Sequence, residues 1–186
     1  MELRAAAEPA LSQRLTAKLW LFSCIFCCVF IAYGTTEILQ SSLYATSGYI
    51  CLFIVYACFL LSSLLAPLLV ARIGPIATLW RCGFFYMLSV LVNAIGPAAP
   101  PALRLVMCAC VGLAGGGFWS AQALYVSLLA QALAGAQGAT PSAALSSLTS
   151  RFFVVFSRMS VRLAKRLVSI LLYSFPRSSS RANSLS

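Results

Sequence analysis

The chain has 186 residues, 61% of them hydrophobic and 9% charged, with a mean hydropathy of +0.94. A soluble domain carries about a quarter charged residues and could not keep so apolar a surface wetted, so composition excludes an ordinary water-soluble globule. The net charge is +10 with no His. The basic residues stand before, between and after apolar runs rather than among stacking aromatics, a pattern that excludes nucleic-acid binding and reads as membrane orientation.

Residues 1–18 form a polar N-terminal tail with Arg4, Arg14 and Lys18. An apolar run follows over about 19–39. A spanning helix needs about 20 residues, because each adds about 1.5 Å against a core of about 30 Å. A secretory signal peptide is the competing reading, with Ala32-Tyr33-Gly34 in the place of a cleavage site. Three further apolar runs favour a retained helix. They cover about 47–70, 76–95 and 102–130. Arg72, Gly74 and Pro75 end the second, and Gly96-Pro97 with Pro100-Pro101 end the third.

The charges set an orientation. Arg4, Arg14 and Lys18 precede run one, and Arg72 lies in the turn between runs two and three, with Arg81 close enough to snorkel to the same headgroups. The connections 34–46 and 96–101 hold no Lys or Arg. The positive-inside rule therefore puts the N-terminus and the 71–75 turn in the cytoplasm. Four runs return the chain to that side, where 131–150 reads as a small-residue cytoplasmic loop.

From 151 to 175 the chain alternates apolar clusters with Arg158, Arg162, Lys165 and Arg166. At about 100° per residue these four share one helical face, with Phe152, Phe156, Leu163, Leu167 and Ile170 opposite. Each mid-membrane Arg or Lys costs at least about 2.5–3.5 kcal/mol. The stripe predicts a basic amphipathic helix in the cytoplasmic interface, with membrane lipids as its partner. The Ser- and Arg-rich tail, 176–186, reads as disordered.

Candidate sites are few. Glu37 is the only acid beyond the first ten residues. A coupling carboxylate usually faces a cavity near mid-membrane, and Glu37 falls near the outer edge, so it is a weak coupling candidate. Gly112-Leu-Ala-Gly115-Gly116-Gly117 lacks the lysine of a phosphate-binding loop. Gly112 and Gly116 form a GxxxG pair that suits close helix packing. Trp119, Gln122 and Tyr125 follow on nearly one face, as candidates to line a cavity. The eight cysteines lie inside apolar runs. Cys24-x-x-Cys27 has neither a second pair nor a His to complete about four zinc ligands. Without His, and with no paired carboxylates, the sequence reads as no enzyme and calls for no cofactor.

Three segments together resemble a known family. They are Leu39-Gln-Ser-Ser-Leu-Tyr44 with Ser47-Gly-Tyr-Ile-Cys-Leu-Phe-Ile-Val-Tyr56, then Leu61-Ser-Ser-Leu-Leu-Ala-Pro67 with Arg72-Ile-Gly-Pro75, then Gly115-Gly-Gly-Phe-Trp119-Ser-Ala-Gln122. They resemble the first outer loop, second helix, cytoplasmic turn and fourth-helix motif of Unc-93-like proteins, a branch of the major facilitator superfamily. The family plan is twelve helices in two halves. The resemblance implies a partial major-facilitator-like N-terminal half, in an all-α multi-pass membrane protein with four transmembrane helices plus the basic amphipathic helix. It also implies a channel-regulatory or trafficking role, with potassium channel or receptor subunits as partners, or a transporter-like role. It carries over no catalytic residues.

Ser150-Arg-Phe-Phe-Val-Val-Phe156 resembles the start of the family's fifth helix, and the likeness stops at Ser157. A frameshift, splice variant or wrong gene model that replaces the true fifth helix is the favoured expectation; a real four-span protein with an interfacial helix is the other. Downstream genomic DNA read in the other two frames tests it, since no apolar continuation there sinks the idea. Four helices and part of a fifth supply less than one half of a facilitator. Such a chain needs a partner, as a homo- or hetero-oligomer, or is a fragment. An unrelated tetraspan scaffold, anchored by its basic end, is the remaining reading.

Overall fold

The computed structural model describes residues 2–174, apart from some side chains within that range. The chain is all-helical among the described residues: α1 (Glu2–Leu43), α2 (Ala45–Ile73), α3 (Pro75–Ala94), a 3-10 turn (Gly96–Ala98), α4 (Pro101–Gln137) and α5 (Pro141–Ser174). The segment 176–186, expected to be disordered, lies outside the described residues. So do the side chains of Leu163, Leu167 and Ile170, assigned above to an apolar face.

Four of these helices contain stretches long and apolar enough to cross a membrane: Leu11–Ile38, Ser47–Ile73, Pro75–Ala94 and Pro101–Gln137. The burial pattern of α2 supports the same conclusion. Its buried side chains are Cys51, Val55, Ser62, Ala66 and Val70, while Leu60, Leu61, Leu64, Leu65 and Leu68 are exposed. Small residues inside and leucines outside would leave a large unwetted patch in water. In lipid the tails solvate the leucines, and small residues let the backbones approach. The chain is an integral, multi-pass membrane protein.

The connections are shorter than the sequence suggests, because the helices run on through the expected loops. The expected polar tail at 1–18 is helical from Glu2, in a segment rich in Ala, Leu, Arg and Glu, which are good helix formers. The outer connection 34–46 shrinks to the break at Tyr44, so Glu37 lies inside α1. The expected cytoplasmic loop 131–150 shrinks to 138–140. There Gly138 adopts φ +63°, and the Ala139 amide donates to the Ala134 carbonyl at 3.2 Å, closing α4 in a Schellman arrangement. Pro141 then opens α5, where its missing N–H costs nothing. Gly74, at φ +86°, is the whole connection between α2 and α3, and Pro75 is the first residue of α3.

α4 is the central helix and packs against all four others. Near the Lys18 end, Leu19 of α1 meets Val126, Leu129, Ala130 and Leu133 of α4 and Ala144 and Leu148 of α5. Farther along, rings fill the interior. Phe26 stacks on Phe118 at 4.7 Å and meets Trp119 edge-on at 5.2 Å, and Phe30 lies 4.9 Å from Trp119. Such pairs add about 0.5–1.5 kcal/mol each beyond area burial.

α5 corrects an expectation. Its 151–156 segment does not lie across the Lys18 end of the bundle, where an interfacial helix was expected. Phe152 sits 6.1 Å from Phe22 and 5.4 Å from Phe26, and Phe156 sits 6.1 Å from Phe30. α5 therefore ascends beside α1, in the same direction. The reason lies upstream of residue 151, where Ala144 and Leu148 begin an apolar stripe that Phe152 and Val155 continue. That stripe seats the helix in the bundle. α5 is amphipathic. Arg162 stands seven residues beyond Val155 and Arg166 fourteen beyond Phe152, so cations border the line of the packing seam beyond Phe156. Arg158, Arg162, Lys165 and Arg166 are all exposed.

Candidate functional site: the α2–α4 seam and the groove beside α1

Gly112 and Gly116 lie on α4 against α2. A Cβ built at Gly112 would collide with the Val55 carbonyl oxygen and lie 2.6 Å from the Cys58 Cβ. At Gly116 it would lie 2.5 Å from Ser62 Oγ and 2.6 Å from the Ser63 amide nitrogen. No side chain fits there, and that lets the two backbones touch. Gly115 faces the same helix through Phe59, and Gly117 faces Cys82 on α3.

Ser62 ties the seam together. Its hydroxyl lies 3.1 Å from the Gly112 carbonyl and 3.0 Å from its own Phe59 carbonyl, either of which accepts its proton, and it accepts from the Gly116 amide at 3.2 Å. In a medium without water such interhelical bonds are worth about 0.6–2 kcal/mol. The GxxxG spacing marks Gly112 and Gly116 and leaves Ser62 unmarked. Its signal was present, since Ser62 falls on the four-residue stripe Ser62, Ala66, Val70 of small buried residues.

The other candidates separate. Trp119 is half-buried and packs on Phe26 and Phe30. Gln122 is buried within α4. Tyr125 stands 4.8 Å from Phe22, and it alone of the three lines a described hollow. Glu37 lies on α1 and accepts a hydrogen bond from the Tyr56 hydroxyl of α2 at 2.6 Å. One turn farther out, buried Gln40 donates through Nε2 to Asn93 Oδ1 at 3.1 Å, with Cys108 Sγ at 3.7 Å. Arg104 lies 4.0 Å above the ring of Tyr44. A belt of polar contacts thus joins α1, α2, α3 and α4 near the ends remote from Lys18. The sequence could not pair these residues, which lie between 19 and 68 positions apart.

Two hollows flank this core. A polar pit of about 420 Å³ is lined by Ser12, Thr16, Gln137, Ser147 and Arg151, among others. A longer apolar groove of about 620 Å³ runs between α1 and α3 over a floor of Phe118 and Tyr125. Among the described residues no group of three His, Cys, Asp or Glu side chains could hold a metal ion. All eight cysteines are free thiols.

No family model matches the chain, and no curated protein or solved structure matches it either.

Proposed function

We propose that this chain is a membrane protein of the Unc-93-like kind, with its N-terminus in the cytoplasm, that binds a partner membrane protein by helix contact and so regulates or escorts it. An ion-channel or receptor subunit is the partner class that the resemblance implies. The observation that carries the reading is the run of exposed cations, from Arg158 to Arg166, that follows the buried apolar seam of α5. Beside a membrane bundle four cations need polar or acidic cover, at a cost of at least about 2.5–3.5 kcal/mol each if it is lacking. A partner helix with carboxylates supplies it. The aromatic filling between α1, α4 and α5 favours contact over carriage, since it leaves little room for cargo.

The test is co-purification with a panel of potassium-channel and receptor subunits. Arg158, Arg162, Lys165 and Arg166 are replaced together by Gln, and protease protection checks that the four spans stay inserted. The wild-type chain should recover a subunit that the Gln variant loses. Equal recovery by both, or recovery of neither partner class, refutes the proposal.

The belt of Glu37–Tyr56 and Gln40–Asn93 contacts favours a second reading, a portion of a transporter-like protein. Polar groups between membrane helices are costly and tend to serve transport. Substrate-dependent flux through a longer gene product, lost on Glu37→Gln, would support it.

A further inference from the structure

The α1–α3 groove lies over the aromatic core described above, and its walls have a definite length. On α1 it runs from Lys18 through Leu21, Phe22, Ile25 and Phe26 to Val29. On α3 it runs from Ile76 to Met87. At about 1.5 Å per residue each wall is about 16 Å long. Half of a bilayer core is about 15 Å. The groove therefore spans one leaflet.

Its ends differ chemically. Lys18 is the charged residue among its lining, and it stands at the end beside the α2–α3 turn. Arg14 lies one turn before it on α1 and is also exposed. Glu37, the acid whose side chain the structure describes, is near the far end of α1. The remainder is hydrocarbon and ring, with Trp80 79% exposed on the rim. Gly83 keeps the channel open, since a Cβ there would meet only Phe118 Cε2, at 3.6 Å.

A cation at headgroup level above an apolar slot one leaflet deep matches one class of ligand. We propose that the α1–α3 groove binds an anionic phospholipid, with one acyl chain between Leu21 and Met87 and its phosphate on Lys18. A second transmembrane helix fits less well. It would continue past Met87 through the other leaflet, and it would bring no anion to Lys18 of its own accord. The orientation proposed above makes this the cytoplasmic leaflet, where anionic lipids are concentrated. The chemistry of the slot does not depend on that assignment.

Trp80 serves as the reporter. A Trp20→Phe, Trp119→Phe variant leaves it as the sole tryptophan. The purified full chain is placed in symmetric vesicles of zwitterionic phosphatidylcholine containing a small fraction of acyl-brominated lipid. That lipid is either phosphatidylglycerol or phosphatidylcholine. Bromine quenches only at contact. We expect brominated phosphatidylglycerol to quench at about one fifth the mole fraction that brominated phosphatidylcholine needs. That ratio corresponds to about 1 kcal/mol for one Lys at an anionic headgroup. Lys18→Gln should abolish the preference and leave the residual quenching. Gly83→Leu should fill the slot and weaken quenching by both lipids. Equal quenching by the two lipids, or a preference that survives Lys18→Gln, overturns the proposal. Absence of quenching by either lipid, with Trp80→Cys cross-linking two copies, overturns it in favour of a self-contact. Because the vesicles are symmetric and no partner is present, failure here is distinguishable from failure of the orientation or the helix-contact reading. Lys18 is exposed, so its variant keeps the test decisive even if Gly83→Leu does not fold.

Discussion

Gly116→Ala is the smallest change that should break the α2–α4 seam. The added methyl would sit 2.5 Å from Ser62 Oγ, 2.6 Å from the Ser63 nitrogen and 2.7 Å from the Ser62 carbonyl carbon. Two of these three are backbone atoms and cannot rotate away. To restore ordinary contact, α2 must withdraw by about 0.7–0.9 Å, which also stretches the Gly116–Ser62 and Ser62–Gly112 hydrogen bonds beyond useful length. Overpacking costs about 1–3 kcal/mol, and the strained hydrogen bonds about 1 kcal/mol more. Against this, Ala gains at most about 1 kcal/mol over Gly in helix propensity. The net loss is about 1–3 kcal/mol. At about 2–4 °C per kcal/mol for a chain of this size, the unfolding midpoint should fall by about 2–12 °C. The assay is thermal unfolding in detergent with a thiol-reactive dye, because Cys27, Cys51, Cys82 and Cys108 are buried and become reactive on opening. Gly135→Ala is the internal control. It lies in the same helix with nothing within 4 Å of its would-be Cβ, and should be neutral or raise the midpoint. If Gly116→Ala is as stable as Gly135→Ala, the seam is not close-packed and the reasoning fails.

Ser62→Ala keeps the space but removes the bonds to Gly112 and Gly116, and should lower the same midpoint by only a few degrees, less than Ser62→Leu, which also adds bulk to the seam. Tyr56→Phe and Glu37→Met each break the one hydrogen bond between them, so the double variant should be little worse than Tyr56→Phe alone; full additivity would mean that the two do not interact. In a background with all eight cysteines replaced, Cys introduced at Thr140 should label from the same side of sealed membranes as Cys at Arg14, and Cys at Ala98 from the other. Labelling of Ala98→Cys and Thr140→Cys from one side would contradict four crossings.

How far the sequence reaches can be judged from particular residues. The four spans were legible because membrane crossing is a property of local length and apolarity, and the all-helical class follows from it. The helix ends were less so. Glycine and proline mark the Gly74-Pro75 break plainly, but Tyr44 carries no such signature, and Gln131–Gln137 is helix although it reads as a loop. The GxxxG spacing pointed to Gly112 and Gly116, yet only the fold names α2 as the helix they touch and Ser62 as the group between them.

The direction of α5 depended on contacts that no periodicity contains. Its basic residues are visible in the sequence, but whether they lie across the bundle or climb beside it is decided by Ala144, Leu148 and Phe152 meeting α1 and α4. The groove is of the same kind: Lys18 and Trp80 are 62 positions apart and become two parts of one slot only when α1 and α3 stand side by side. Composition and hydropathy act residue by residue, so the sequence alone determined the solvent and the four stretches long and apolar enough to cross it. Packing acts between residues far apart in the chain, so which helix faces which, and what space is left between them, was decided by tertiary structure.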